Sequence, residues 1–195
     1  MIRKLTHTKE IQSEKRQNLL FLANKAENNS LDAFLDISRK EFMNYTIEFY
    51  EVVGDLLEFL GFSKVSVTRD GDTNNRMDAI IIEKLRSIPI EIKSPREVEY
   101  VNIKSVRQAL ENKIVLLSRK FYPTTIDTTS LAIAYDYPNE RSGVYELIDD
   151  IYNTYQLKIG VISFTSLLAL FYKVNIEGKK IDLEEIYSLK GIWND

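Results

Sequence analysis

The sequence contains no cysteine and a single histidine, His7. The missing thiols exclude disulfide bonds and thiolate metal sites. One histidine excludes a multi-histidine metal centre and argues against a Ser-His-Asp triad. Any metal chemistry must therefore rest on carboxylates, which favour hard ions such as magnesium.

Two further signals are missing from the chain. We see no signal peptide and no apolar run long enough to cross a membrane, which predicts a cytoplasmic protein with no membrane partner. The formal net charge is -3, so the chain as a whole does not attract nucleic acid. Hydrophobic residues make up 44% of the 195 positions, an ordinary globular balance for one sizeable domain with a small appendage.

The basic residues are unevenly distributed. Residues 84–120 hold nine Lys/Arg and only four acids. Such a segment is typical either of a solvated helix face or of a surface that neutralises phosphates. The composition leaves both interpretations open.

Hydrophobic periodicity predicts an alternation of helices and strands. Helices are expected at 9–27, 31–37, 40–60, 101–121, 143–155, 165–173 and 182–190, and strands at 62–70, 76–83, 87–94, 130–135 and 158–164. Gly61 is expected to end the third helix, and Thr165 and Asp182 to cap the last two. The order α-β-β-β-α-β-α-β predicts an α/β fold, with a mixed central sheet that has helices on both faces.

The stretch "MDAIIIEKLRSIPIEIKS", residues 77–94, puts charge into two apolar strands. If Glu83 pairs with Ile88 around a four-residue turn, Asp78 lies across from Lys93. Because side chains alternate along a strand, Asp78, Glu91 and Lys93 then share one face. Two carboxylates a cross-strand distance apart can hold one hard cation, with the lysine beside them to stabilise negative charge. The competing interpretation is a solvated strand with an Asp78–Lys93 ion pair.

With Asp78 followed by the triplet Glu91-Ile92-Lys93, the sequence resembles the PD-(D/E)XK nuclease superfamily. Met77 stands where the family name has proline. The resemblance implies an αβββαβ core, and it covers roughly residues 40–190. The segments "KIGVISFTSLLALF" and "IEGKKIDLEEI" are similar to the ending of type IIS restriction endonuclease cleavage domains. We expect residues 1–38 to form a helical docking or linker segment and 39–195 the nuclease domain.

The resemblance implies a set of site residues. Asp78, Glu91 and Lys93 would be catalytic, and Asp78, Glu91 and Ile92 would hold Mg2+, with Mn2+ able to substitute. Members of the superfamily often add an acid from the helix before the first strand. On a helical wheel, Glu48 and Asp55 fall at the edge of the apolar stripe, and Glu48 is the first choice.

The same resemblance places the helix after the Glu-x-Lys strand near the substrate backbone. Lys104, Arg107 and Gln108 on that helix, and Arg69 and Arg76 before the catalytic strand, are the expected DNA contacts. For each base, a solvated surface charge remains the alternative.

The expected function is a magnesium-dependent DNA endonuclease that hydrolyses phosphodiester bonds. The chain would be the cleavage domain or catalytic subunit of a type IIS restriction enzyme, acting on double-stranded DNA with a sequence-recognition domain or larger subunit. Double-strand cleavage would need a second catalytic chain. The alternatives are a structure-specific nuclease for junctions or repair, and a non-catalytic binding subunit with the same fold.

Overall fold

The computed structural model describes residues 17–26, 30–68, 77–119 and 122–193. In these ranges the helices are α1 (17–25), α2 (Leu31–Phe42), α3 (Ile47–Phe59), α4 (Ile103–Arg119), α5 (Val144–Tyr155), α6 (Phe164–Asn175) and α7 (Leu183–Tyr187). The strands are β1 (Val65–Val67), β2 (Ala79–Ile81), β3 (Ile88–Ile92), β4 (Ser130–Ala134), β5 (Ile159–Ser163) and β6 (Gly191–Ile192).

The six strands form one mixed sheet in the order β1-β2-β3-β4-β5-β6. The first three strands pair antiparallel, whereas β3 to β6 pair in parallel. The parallel strands are joined by helices, as this pairing requires. The predicted fold class is confirmed, and β6 is an addition that the sequence pattern did not indicate.

Helices cover both faces of the sheet because alternate residues of the central strands are apolar on each side. On one face, Ile90, Ile133 and Ile162 pack in a large core that also contains residues of α1, α2, α3, α6 and α7. On the other face, Ala132 and Val161 pack against α4 and α5. The odd-numbered residues of β3 point to the α4 side, opposite to Ile88, Ile90 and Ile92.

The predicted helix 40–60 is wrong as one piece. It is two helices, because α2 ends at Phe42 and α3 begins at Ile47. The Tyr45 ring packs edge-on against Phe42, with 5.1 Å between ring centroids, and Thr46 leaves the helical conformation. The apolar stripe continues across the break, so periodicity did not reveal it.

The caps are partly as predicted. Gly61 follows the end of α3 with φ 111°, and Asp182 caps α7 by accepting a hydrogen bond from the Glu184 amide at 2.9 Å. Thr165 is not the cap of α6. That role belongs to Ser163, whose Oγ accepts from the Ser166 amide at 3.0 Å because the helix starts directly after β5.

The proposed boundary between residues 38 and 39 lies within α2. Phe34 of this helix packs against Phe171 and Tyr172 of α6, with ring centroids 6.2 and 5.2 Å away. The division into a docking segment and a nuclease domain stays a prediction. Residues 71–75 between the first two predicted strands, the start of the first predicted helix, Arg69 and Arg76 lie outside the described residues.

No helix within the described part of the chain combines the length and the apolar character that a membrane span needs.

Candidate active site

The pairing of β2 with β3 differs from the predicted register by two residues. The observed partners are Ala79–Ile90, Ile80–Pro89 and Ile81–Ile88. One residue further along this register, Asp78 lies opposite Glu91, so the prediction that it faces Lys93 is wrong. The shift is even, so Asp78, Glu91 and Lys93 still project to one face, as predicted.

The connection between β2 and β3 accounts for the shift. Pairing stops at Ile81, so six residues, 82–87, link the strands instead of four. Ser87 is drawn away from β2, because its amide donates to the Pro123 carbonyl at 2.7 Å and its own carbonyl accepts from Thr124 Oγ1 at 2.9 Å. Within the turn, Ser87 Oγ lies 3.2 Å from both the amide and the carbonyl oxygen of Glu83.

Asp78 directly precedes β2, and its side chain extends the hydrogen bonding between β2 and β3 by one further bond. The Ile92 amide donates to Asp78 Oδ2 at 2.8 Å. The carbonyl of Met77, the residue before Asp78, accepts from Thr68 Oγ1 at 2.6 Å. The carboxylate is thereby fixed against the end of β3.

Glu91 is held from two sides although only 2% of it is exposed. Lys93 Nζ lies 2.7 Å from Glu91 Oε1. Asn112 Nδ2 of α4 donates to Glu91 Oε2 at 3.1 Å. Each carboxylate oxygen thus has a defined partner, and the ion pair of Lys93 is with Glu91.

The crowding of charge changes the protonation of this cluster. Burial, and then the neighbouring Glu91 carboxylate, raise the pKa of Asp78 to about 7, while the Ile92 amide and Lys93 oppose the change. Burial works to lower the pKa of Lys93, but the hydrogen bond to Glu91 and the charges of Glu91 and Asp78 outweigh it and raise the pKa. The two carboxylates therefore repel, and a cation between them would relieve that repulsion.

Two residues outside the predicted set, Tyr50 and Glu97, complete the edge of the site. Glu97 Oε2 accepts hydrogen bonds from Tyr50 Oη at 2.6 Å, the Ser94 amide at 2.9 Å and Ser94 Oγ at 3.0 Å. Burial opposes ionisation of Glu97, but these donors prevail and lower its pKa. Burial, and then the Glu97 hydrogen bond, raise the pKa of Tyr50, with the Asp78 and Glu91 charges adding to the effect.

Tyr50 links α3 to the edge of this cluster through its hydrogen bond to Glu97. Gly54, one turn later, lets α3 approach β1 closely, since an added Cβ would lie 2.7 Å from Val67 Cγ2. Glu48 is exposed in the first turn of α3, and its charge acts on Tyr45. Asp55 is half-buried on the same helix. The strongest charged neighbours of Asp78 are Glu91, Lys93 and Glu97, so a role for Glu48 or Asp55 stays a prediction.

Helix α4 presents different residues to the sheet and to solvent. Lys104 and Arg107 are exposed, whereas Asn112 is buried against Glu91. Gln108 is half-buried, and its Oε1 atom is shielded from solvent. The predicted DNA contacts Lys104 and Arg107 are therefore accessible, and the opposite face of the helix supports the site.

The donor set fits a hard cation. Nowhere in 17–26, 30–68, 77–119 or 122–193 do three His, Asp or Glu side chains converge as a metal cluster. A cation at Asp78 and Glu91 would have to complete its shell with a main-chain carbonyl, water or substrate oxygens. Magnesium commonly binds in this way, through one or two carboxylates together with waters and phosphates.

The chain matches no protein-family model and, at a significant level, no curated protein. Among solved structures it is similar to restriction endonuclease FokI bound to DNA, with a TM-score of 0.52 and 14% sequence identity. The match covers 93% of this chain and 34% of the other, so the chain corresponds to about a third of that protein's length. At this identity the likeness establishes the fold alone, which is restriction-endonuclease-like.

Proposed function

We propose that the chain is a magnesium-dependent DNA endonuclease of the PD-(D/E)XK type. The observation that carries the proposal is the convergence of Asp78, Glu91 and Lys93 on one face of β2 and β3. The strained carboxylate pair gives a cation a place to bind, and the lysine supplies positive charge beside it. A purely structural ion pair would need one acid, and a second, half-buried acid opposite the first costs stability.

Asp78 and Glu91 would hold the cation through their carboxylates, and Ile92 would contribute its main-chain carbonyl. Mg2+ is the expected ion, and Mn2+ should substitute for it. Such a cation polarises a phosphate and lowers the pKa of a bound water. Glu97, whose Oε2 atom accepts from Tyr50 and Ser94, would support the edge of the site rather than hold the cation.

Lys93 would act as a cationic donor to the substrate. Its ammonium is kept charged by its acidic neighbours, so it can donate hydrogen bonds to a phosphate oxygen or to the attacking water. The ammonium lies 2.7 Å from Glu91 Oε1, which keeps it at the site before substrate binds.

DNA would lie along the exposed side of α4. Lys104 and Arg107 would neutralise phosphates, which gives affinity without sequence preference. Gln108 would contribute an amide at the inner border of that surface. Arg69 and Arg76 remain proposed contacts on the basis of their position in the sequence beside β1 and β2.

The partner proposal follows from size. The chain spans 34% of the FokI chain, whose structure is of a complex with DNA. We propose that this chain is the cleavage domain or catalytic subunit of a type IIS enzyme, and that a recognition domain or larger subunit selects the site. A second catalytic chain would be needed to cut both strands.

Cleavage of supercoiled plasmid with and without EDTA tests the proposal. Wild-type protein should nick the plasmid with Mg2+ or Mn2+. Asp78→Ala removes a cation ligand itself, so the rate should fall by more than the roughly 10–100-fold that is typical when a group orienting a ligand is lost. Glu140→Gln, which alters an exposed acid in the turn before α5, should cleave like wild type. Full activity of Asp78→Ala would refute the assignment.

The same assay distinguishes the alternative functions. A structure-specific nuclease would cut a four-way junction or flap much faster than linear duplex. A binding subunit would retain DNA without cutting it under any metal condition. Either result would replace the restriction-type proposal.

A further inference from the structure

Asn112 is the one described α4 side chain seen to hydrogen-bond the proposed cation ligands. It lies 21 residues after Glu91, is 3% exposed, and donates from Nδ2 to Glu91 Oε2. An amide buried beside a carboxylate is costly unless the hydrogen bond is made, so the pair stabilises one orientation of both groups.

The helix around Asn112 is pinned on both sides. Ser130 Oγ, at the start of β4, lies 2.8 Å from the Ala109 carbonyl and 3.2 Å from the Pro89 carbonyl, and it thereby links α4 and β3. The Lys113 ammonium donates to the Thr125 carbonyl at 2.7 Å and to Thr124 Oγ1 at 3.1 Å. These contacts fix the position of α4 and therefore of Asn112. The hydrogen bond from Asn112 in turn fixes the position of the Glu91 carboxylate.

The two partners of Glu91 have different freedom. Lys93 is a flexible side chain that is 14% exposed, and its role in the proposed reaction requires it to meet substrate. Asn112 is 3% exposed on a pinned helix, where its amide contacts Glu91 rather than solvent. If Lys93 leaves Oε1 to contact a phosphate, Asn112 still fixes Oε2 and prevents the carboxylate from turning.

We propose that Asn112 is a positioning residue that holds Glu91 in the orientation required to bind a divalent cation. The inference rests on the proposed function, since it assumes that Glu91 is a cation ligand. It assigns to the buried face of α4 a task separate from the phosphate contacts of its exposed face. Groups that orient metal ligands in this way commonly change metal affinity 10–100-fold when they are removed.

The test is binding of Mn2+ alone, measured by titration calorimetry on the full chain without DNA. Asn112→Leu keeps the side-chain size but removes the donor, and it should weaken Mn2+ binding by about 10-fold or more. Asn112→Ser, which leaves room for a bridging water, should bind with intermediate affinity. Ile114→Ala, at a 52% exposed position of the same helix, is the control and should bind like wild type.

Plasmid cleavage over a range of Mn2+ concentrations supplies the second readout. A positioning role predicts that Asn112→Ser needs more metal for half-maximal rate but approaches the wild-type rate at saturation. A merely structural role would lower the rate equally at every metal concentration and leave the calorimetric affinity unchanged, and that result would overturn the inference.

Failure of the inference is distinguishable from failure of the proposed function. If wild type binds Mn2+ and Asp78→Ala does not, the site holds metal, and an unchanged affinity in both Asn112 variants refutes only the positioning role. If wild type binds no Mn2+, both proposals fall. Should Asn112→Leu not fold, as judged by its circular dichroism, Asn112→Ser decides the question alone.

Discussion

At the residue scale, Asp78 opposes stability in the metal-free protein. Its carboxylate lies opposite Glu91, and burial together with that neighbour raises its pKa to about 7. The ordinary pKa is 3.8. Between pH 3.8 and about 7, the folded state therefore keeps a proton that the unfolded state has lost. Above pH 7 the group is charged in both states, and the full cost of burying that charge is present.

Asp78→Asn should therefore stabilise the metal-free protein. The amide oxygen can still accept the Ile92 hydrogen bond, while the repulsion from Glu91 is removed. We expect a gain on the order of 2 kcal/mol at pH 8, after allowing for partial exposure of the group. The gain should shrink as the pH falls from 7 towards 4, because wild type then becomes protonated and loses the same repulsion.

Urea denaturation in EDTA at pH 8, 6.5 and 5 measures this difference. A clear loss of stability in Asp78→Asn at pH 8 would show that the carboxylate charge is structural. Glu140→Gln serves as the matched control. It too removes one negative charge, but at an exposed position outside the site.

Lys113 gives a pH dependence of the opposite sign. It is fully buried, and burial lowers its pKa to about 8 from an ordinary value of 10.5. Below pH 8 both states carry the charge and the cost is complete. Between pH 8 and 10.5 the folded state loses its proton first, so stability should rise with pH.

The comparison for Lys113 is with Lys113→Met, which has a similar length and does not titrate. The unfolding free energy of wild type should increase relative to the variant by roughly 1–2 kcal/mol between pH 7.5 and 10. A constant difference over this range would mean that the ammonium is fully compensated by Thr124 and Thr125.

The shared face of Asp78, Glu91 and Lys93 was predictable from sequence, whereas the residues that contact them from the helices were not. Asp78, Glu91 and Lys93 are charged positions in apolar strands, and alternation places them on one face. Tyr50 and Asn112 come from helices, and periodicity does not tell which helical residue reaches a given strand position. Glu97 did carry a signal, since Ser94-x-x-Glu97 has the spacing of a capping box, in which the glutamate side chain accepts from the serine amide as Glu97 does here.

At the element scale, the β2–β3 register shows which part of a hairpin is local. The face to which each side chain points follows from alternation, so it was predicted correctly although the register was not. The two-residue shift arises because Pro123 and Thr124, more than thirty positions away, bind the backbone of Ser87. The break between α2 and α3 is similar, because the packing of Tyr45 on Phe42 interrupts a helix whose apolar stripe is continuous.

The placement of α3 depends on Gly54. Because an added Cβ would lie 2.7 Å from Val67 Cγ2, Gly54→Ala should push α3 away from β1 and displace Tyr50 from Glu97. We expect a loss of about 1–2 kcal/mol, since overpacking costs more than the better helix propensity of alanine returns. The midpoint temperature of thermal unfolding and the rate of plasmid nicking should both fall.

The double variant Gly54→Ala/Val67→Ala provides the check. Shortening Val67 removes the clash, so nicking should recover even though some packing is lost. If the single variant matches wild type in both measurements, the close approach of α3 has no role in the site.

At the scale of the whole molecule, the 29 acidic residues outnumber the 26 Lys and Arg, and the net charge is -3. The isolated chain should therefore be a monomer that binds duplex DNA without sequence preference and more weakly than about 1 µM at physiological salt. Lys104→Glu with Arg107→Glu should weaken binding further and reduce its salt dependence. Gel shifts against a random duplex library test this, and nanomolar selection of one sequence would indicate a complete restriction enzyme.

The outer strands of the sheet restrict how two such chains could meet. Within the part of the chain that the structure describes, the edge strands β1 and β6 are three and two residues long. Edges this short offer little unpaired backbone to a neighbouring chain, which also protects the protein from edge-to-edge aggregation. If two copies act together on DNA, as proposed, they would therefore have to associate through helices or loops rather than by joining their sheets, and each could separate again with its fold unchanged.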